Sequence, residues 1–149
     1  MKPGFRALRI AQLQGALEPF LAAKEVPRPQ RGWLRAIREA AGVSVLEMAR
    51  RLGKTPSLAL YLEKSEAEYR ITLGSLRAAA DAVGCELVYA LVPKHGGIRE
   101  LAEHSARELA TENVRAVEHS MALEGQAVGG VPEKIEEETR RFLKGATRL

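Results

Sequence analysis

Residues Ser44–Glu63 read SVLEMARRLGKTPSLALYLE. Two helix starts stand out in this stretch. Ser44 followed three residues later by Glu47 is a capping box, in which the hydroxyl accepts a first-turn backbone N–H and the carboxylate reaches back to the cap. Thr55-Pro56 is a second start, with Thr as cap and Pro at the first helical position, where its missing N–H is no loss. Gly53 lies between them and lets the chain reverse. Leu46, Ala49 and Leu52 are the expected inward positions of the first helix. Ala49 is small enough for the two helices to cross closely. Two short helices joined by a tight glycine turn make a helix-turn-helix arrangement.

The flanks carry similar punctuation. Trp33, Leu34, Ile37 and Ala41 form an apolar stripe that stops at Gly42, with Trp33 expected in the core. Thr72 caps a further helix, which places Leu73, Leu76, Ala80 and Val83 on one face and ends at Gly84. Leu87–Val92 (LVYALV) is β-prone and bounded by Gly84 and Pro93, so one strand is expected. A lone strand needs a partner, and a second subunit would supply it. Upstream, apolar residues at helical spacing predict a helix over Phe5–Ala23 that Pro19 can kink. Val26–Gln30 (VPRPQ) is a stiff linker. Downstream, Gly96-Gly97 marks a joint. A long helix follows over Ile98–Gln126, with Ile98, Leu101, Ala102, Leu109, Ala110, Val114, Val117 and Met121 as its stripe. Gly129-Gly130-Val131-Pro132 breaks it. A last amphipathic helix carries Ile135, Thr139, Phe142 and Leu143. The expected division is 1–28 (N-terminal helix and linker), 29–95 (helix-turn-helix domain with the strand) and 96–149 (C-terminal helical region).

Composition agrees with a mainly α protein. Of 149 residues, 46% are hydrophobic and 28% charged, enough to bury a core, while only 5% are aromatic. The net charge is +4. Residues 1–70 hold 13 Lys/Arg against 7 Asp/Glu, and residues 96–149 hold 8 against 10. A basic half and a mildly acidic half suggest two partners of different character. Ordinary surface variation remains the alternative. The single cysteine, Cys85, excludes an internal disulfide and fits a reducing cytoplasm. No apolar run reaches membrane-spanning length. His95, His104 and His119 are too scattered for a metal site. No phosphate-binding loop and no hydrolase constellation is present, so neither an enzyme nor a cofactor is expected.

Ala49, Leu52, Gly53, Thr55 and Glu63 give Ser44–Glu63 a likeness to the XRE or lambda-repressor-like family. The match extends through ITLGSLRAAADAVG at Ile71–Gly84. More broadly, PRPQRGWLRAIREAAG at Pro27–Gly42 and GCELVYALVP at Gly84–Pro93 are similar to the narrower group called mobile mystery protein A, over about Leu8 to Gln126. The resemblance implies a lambda-repressor-like helical bundle with one short strand and a C-terminal helical extension, binding double-stranded operator DNA as a homodimer. By that alignment Thr55, Pro56, Ser57, Leu58 and Tyr61 face the major groove. Arg50, Arg51, Lys54 and Lys64 flank the unit as phosphate contacts, with Arg31 and Arg35 adding to them from the first helix. The sequence departs from the family pattern. Val45 stands where Gln is common, and Lys54 where an apolar residue is usual. The first two turns after Thr55 lack Arg, Asn and Gln, so bidentate base readers are missing. Leu58 against thymine methyls, single hydrogen bonds from Ser57 or Tyr61, and DNA shape are left to supply specificity. A helix-turn-helix used only for protein contact stays open as an alternative.

The narrower resemblance also implies a companion. That group is associated with a Fic-domain AMP-transferase, and such enzymes are often held inactive by a helix of pattern Ser/Thr-x-x-x-Glu-Gly/Asn. SMALEG at Ser120–Gly125 is the chain's one match. Positions i and i+4 share a helix face, so Ser120 and Glu124 point the same way. In the Fic family the motif glutamate occupies an arginine that holds the ATP γ-phosphate, and a carboxylate–guanidinium pair is a strong lock. A pattern this degenerate arises by chance in roughly one chain in ten of this length. Glu124 as an ordinary solvated residue is therefore the competing reading. Three functions follow as expectations: an antitoxin that represses its own operon and inhibits the Fic partner, a repressor alone, and a helical adaptor that never meets DNA.

Overall fold

A computed structural model describes residues 3–126 and 129–145. The described residues are mainly helical: α1 (Pro3–Leu17), a 3-10 helix (Glu18–Glu25), α2 (Trp33–Ala40), α3 (Val45–Leu52), α4 (Pro56–Ala67), α5 (Leu73–Ala82), α6 (Ile98–Leu123) and α7 (Val131–Leu143). They fall into two compact units. Residues 25–89 form one, and residues 1–24 with 90–149 form the other.

The 25–89 unit is the four-helix bundle α2–α5. Three of its helices begin on hydroxyl caps. Ser44 Oγ accepts the Glu47 N–H at 3.0 Å, Thr55 Oγ1 the Leu58 N–H at 3.2 Å, and Thr72 Oγ1 the Ser75 N–H at 3.1 Å. The reciprocal half of the Ser44 box is replaced, because the Glu47 side chain turns to Arg50 and Arg51. The core is built on Leu34, Met48, Ala49, Ala59, Ala79 and Val83. Its alanines let the helices approach closely, and Met48 is the largest apolar side chain fully enclosed.

Core assignments change at four positions, of which Ala41 and Leu73 are simply exposed. Leu46 is 69% exposed and Met48 takes its inward place, because the buried side of α3 is fixed by where α4 and α5 lie. Trp33 is 43% exposed, and what it contributes to the interior is its backbone N–H. α2 starts on Gly32 (φ 84°) without a hydroxyl cap. Its cap comes from across the bundle instead, where Glu66 Oε1 accepts the Trp33 N–H at 3.2 Å.

Charge inside the bundle is paired. Arg38 and Glu63 are both buried, joined through Nε–Oε1 and through Nη2–Oε2 at 3.3 Å, and Arg38 Nη1 donates to the Val43 carbonyl at 3.0 Å. The bonded Glu63 carboxylate raises the Arg38 pKa above its usual value. Arg28 closes the linker onto the end of α4. Its Nη1 and Nη2 donate to the Glu66 and Ala67 carbonyls at 3.0 and 2.8 Å, and its guanidinium lies 4.0 Å from the centre of the Tyr69 ring. Tyr69 holds φ 59°, a left-handed conformation that usually belongs to Gly or Asn.

The expected strand at Leu87–Val92 is not formed, and no strand occurs among the described residues. Strand structure requires a neighbour with which to exchange N–H···O=C bonds, and among the described residues this segment has none.

In the second unit, α6 and α7 form an antiparallel hairpin. Lys134 pairs with Glu118 near its turn, and Arg107 with Glu136 further along at 3.3 Å. Ala106, Ala110, Val114 and Thr139 are buried between them. The Thr139 hydroxyl is satisfied by the Ile135 carbonyl at 2.6 Å. Leu101, Leu109 and Val117, expected inward, are exposed. α1 packs on α6. Gln14 Oε1 accepts the Arg99 N–H at 3.4 Å, and the Arg6 guanidinium donates to the Phe142 carbonyl. The regular helix ends at Leu17 rather than Ala23. Pro19 offers no N–H and crowds the carbonyl four residues back, so the chain tightens into the 3-10 turn.

Candidate nucleic-acid interface

α3, the Gly53 turn and α4 form the helix-turn-helix unit. One side of α4 is committed to the core through Ala59, Glu63 and Glu66. The opposite side carries Ser57, Leu60, Tyr61 and Lys64, at positions i, i+3, i+4 and i+7, and all four are exposed. Leu60 is 49% and Tyr61 55% exposed. Leu58 is half-buried and lies about 100° around the helix from Ser57. Leu60 therefore takes the outward apolar position that the sequence reading gave to Leu58. The spacing from Ser57 already contained that signal. Thr55 is exposed, but its hydroxyl is engaged as the helix cap.

The six cationic candidates separate into two groups and a remainder. Arg31, Arg35 and Lys64 come together around one groove, which Gln30, Leu60, Glu63 and Ala67 complete. Arg35 Nε is 2.8 Å from Glu39 Oε1, and Lys64 Nζ stands 4.0 Å from Glu68 Oε1. Exposed pairs held by a single contact are weak and exchange readily for a phosphate. Arg31 has no ion-pair partner among the described residues, and neither does Lys54 beside the turn.

Arg50 and Arg51 are held by one carboxylate. Arg50 reaches Glu47 at 2.8 Å (Nε–Oε2) and 2.6 Å (Nη2–Oε1), and Arg51 Nε reaches Oε1 at 2.9 Å. Arg51 Nη1 also donates to the Ala82 carbonyl at 3.0 Å and ties α3 to the end of α5. The two guanidiniums, Arg50 first, hold the Glu47 carboxyl at about 2 instead of 4.5. Glu47 is not singled out by sequence reading, because its helix-cap role accounts for it locally. A depressed folded-state pKa gives a contribution that is complete above the unfolded value and lost as pH falls through the folded one. The Glu47 carboxyl resonance is thus expected to titrate near pH 2. The Arg50 and Arg51 contacts should persist at pH 4, and a midpoint near 4.5 would show them absent in solution.

Ser120 and Glu124 lie at the end of α6, both exposed and one turn apart, with the Glu124 N–H on the Ser120 carbonyl at 3.3 Å. Gly125 has a structural task. At φ 70° it closes the helix, with its own N–H on Ala122 O at 3.2 Å and the Gln126 N–H on Met121 O at 2.8 Å. This is the paired-bond stop that favours glycine. The motif's final position is therefore explained by chain reversal alone. Further back along α6, a groove between α6 and α7 is lined by Asn113, Val114, Ala116, Val117, Glu118, Lys134, Glu138 and Arg141, and by none of the motif's residues.

Comparison of the chain with protein-family models, with curated proteins and with solved structures gives no match. Among the described residues, no helix is long and apolar enough to cross a membrane.

Proposed function

We propose that the chain is a lambda-repressor-like transcriptional regulator that binds double-stranded operator DNA through α4 as a homodimer. The observation that carries this reading is the juxtaposition on one exposed side of α4. Ser57, Leu60 and Tyr61 can meet base edges and thymine methyls, and the Arg31–Arg35–Lys64 groove beside them can take backbone phosphates. The test is binding to a duplex carrying the chain's own promoter, measured by fluorescence anisotropy over a range of salt. Wild type should bind with steep salt dependence. Arg31→Ala/Arg35→Ala/Lys64→Ala should flatten the slope of log K against log[salt] by up to about 2.7, at roughly 0.9 per phosphate contact. Salt-insensitive or undetectable wild-type binding would remove the DNA reading and leave a helical adaptor.

Within the same proposal, Ser120 and Glu124 inhibit a companion Fic AMP-transferase, which makes the protein the cytoplasmic antitoxin of its operon. The feature that favours this is the exposure of both side chains, one turn apart at the end of α6. Coexpression with the Fic protein should suppress adenylylation. Glu124→Gly should lose suppression while still copurifying with the partner. Equal suppression by both forms would place inhibition on another surface and reduce the function to repression alone.

A further inference from the structure

We infer that Glu47 restrains the protein's affinity for DNA by withholding Arg50 and Arg51 from the phosphate backbone, an inference that rests on the DNA-binding reading. One half-buried carboxylate makes three charge-assisted contacts, at 2.6 to 2.9 Å, with two guanidiniums on the helix leading into the turn. Two consequences follow for a polyanion approaching α3. The guanidinium edges a phosphate needs are already filled. The carboxylate itself adds a negative charge among them, so α3 presents one net positive charge where its arginines alone would present two. Of the six candidate phosphate contacts, the two without an ion pair among the described residues, Arg31 and Lys54, lie on the α2 side of α4 and at the turn. Affinity is thus set by fewer phosphate contacts than the count of basic residues suggests. Glu47 is also dispensable to the fold at this point. The cap bond uses its backbone N–H with the Ser44 hydroxyl, not its side chain, and Arg51 keeps its bond to Ala82 O without it.

The experiment compares wild type, Glu47→Gln and Glu47→Ala on two duplexes of equal length, one with the chain's own promoter sequence and one scrambled. Circular dichroism confirms helix content throughout. Both variants should bind about tenfold more tightly at low salt, with the log K against log[salt] slope steeper by about 0.9 to 1.8, for one or two released arginines. Phosphates carry no sequence, so the gain should be the same on both duplexes. Adding Arg50→Ala to Glu47→Gln should erase most of it. If wild type binds and the variants bind with the same affinity and slope, the restraint is absent although the DNA reading stands. If the variants lose affinity for the promoter duplex alone, Glu47 is reading a base, as a carboxylate can at cytosine, and the inference is overturned. If no form binds either duplex in a salt-sensitive way, the DNA reading falls and takes the inference with it.

Discussion

Glu63→Ala is expected to destabilise the 25–89 unit by about 3–5 kcal/mol, because it leaves the buried Arg38 guanidinium charged and without its counterion. Arg38 keeps one neutral partner, the Val43 carbonyl at 3.0 Å, which is not enough to replace a carboxylate bonded at two points. Trp33, the chain's one tryptophan, lies in the same unit, so a denaturant titration followed by its fluorescence reads the loss as a fall in midpoint. The pair itself is a different matter. Replacing both residues, as in Arg38→Met/Glu63→Leu, removes two desolvated charges along with their attraction. It should leave stability within about 1 kcal/mol of wild type or raise it. A Glu63→Ala loss below about 1 kcal/mol would mean that water reaches Arg38 and that the pair is not a sealed contact.

Gly32→Ala is the second large effect, expected at about 2–4 kcal/mol. A Cβ at this position would stand 1.7 Å from Glu66 Oε2. The carboxylate that must move is buried, accepts the Trp33 N–H, and lies 3.7 Å from Arg28 Nη1. Its displacement therefore uncaps α2 and loosens the linker in one step. Gly42→Ala is the control. It has a similar positive φ of 69° but nothing within 4 Å of an added Cβ, so it should cost only the left-handed penalty of about 1–2 kcal/mol. Equal losses at the two sites would show that Glu66 swings aside without cost.

Helix starts were the legible part of this fold. Ser44, Thr55 and Thr72 announce themselves because a hydroxyl cap is a local device, decided by residues within one turn. Which side of each helix faces inward was less legible. Leu46 and Met48 in α3, or Leu58 and Leu60 in α4, are equally apolar, and the choice between them is made by neighbouring helices that a short window does not contain. The Arg38–Glu63 pairing was not legible for the same reason, since only the α2–α4 contact puts the two together. The strand at Leu87–Val92 failed on a different count. β-propensity describes a side chain's fit to a pleated surface, and no second strand lies among the described residues to make one. At the candidate site, the sequence supplied the basic residues but not their bookkeeping. Arg31, Arg35 and Lys64 converge, whereas Arg50 and Arg51 are taken up by a carboxylate that looked like part of a cap.

The packing of α1 on α6 has a consequence for how the chain is made. The bundle of 25–89 is continuous in sequence, so all its contacts are available as soon as that stretch leaves the ribosome. α1 emerges before it, yet the helix that houses it is complete only after a further ~100 residues, some 5–20 s later at ordinary rates of synthesis. Through that interval Ile10 and Leu17, the α1 apolar side chains half-buried in the finished unit, have no surface of that unit to rest on. α1 is translated before the bundle yet placed after it, and nascent chains in which 25–89 has left the ribosome but α6 has not should expose α1 to chaperones or to protease while the bundle is already protected.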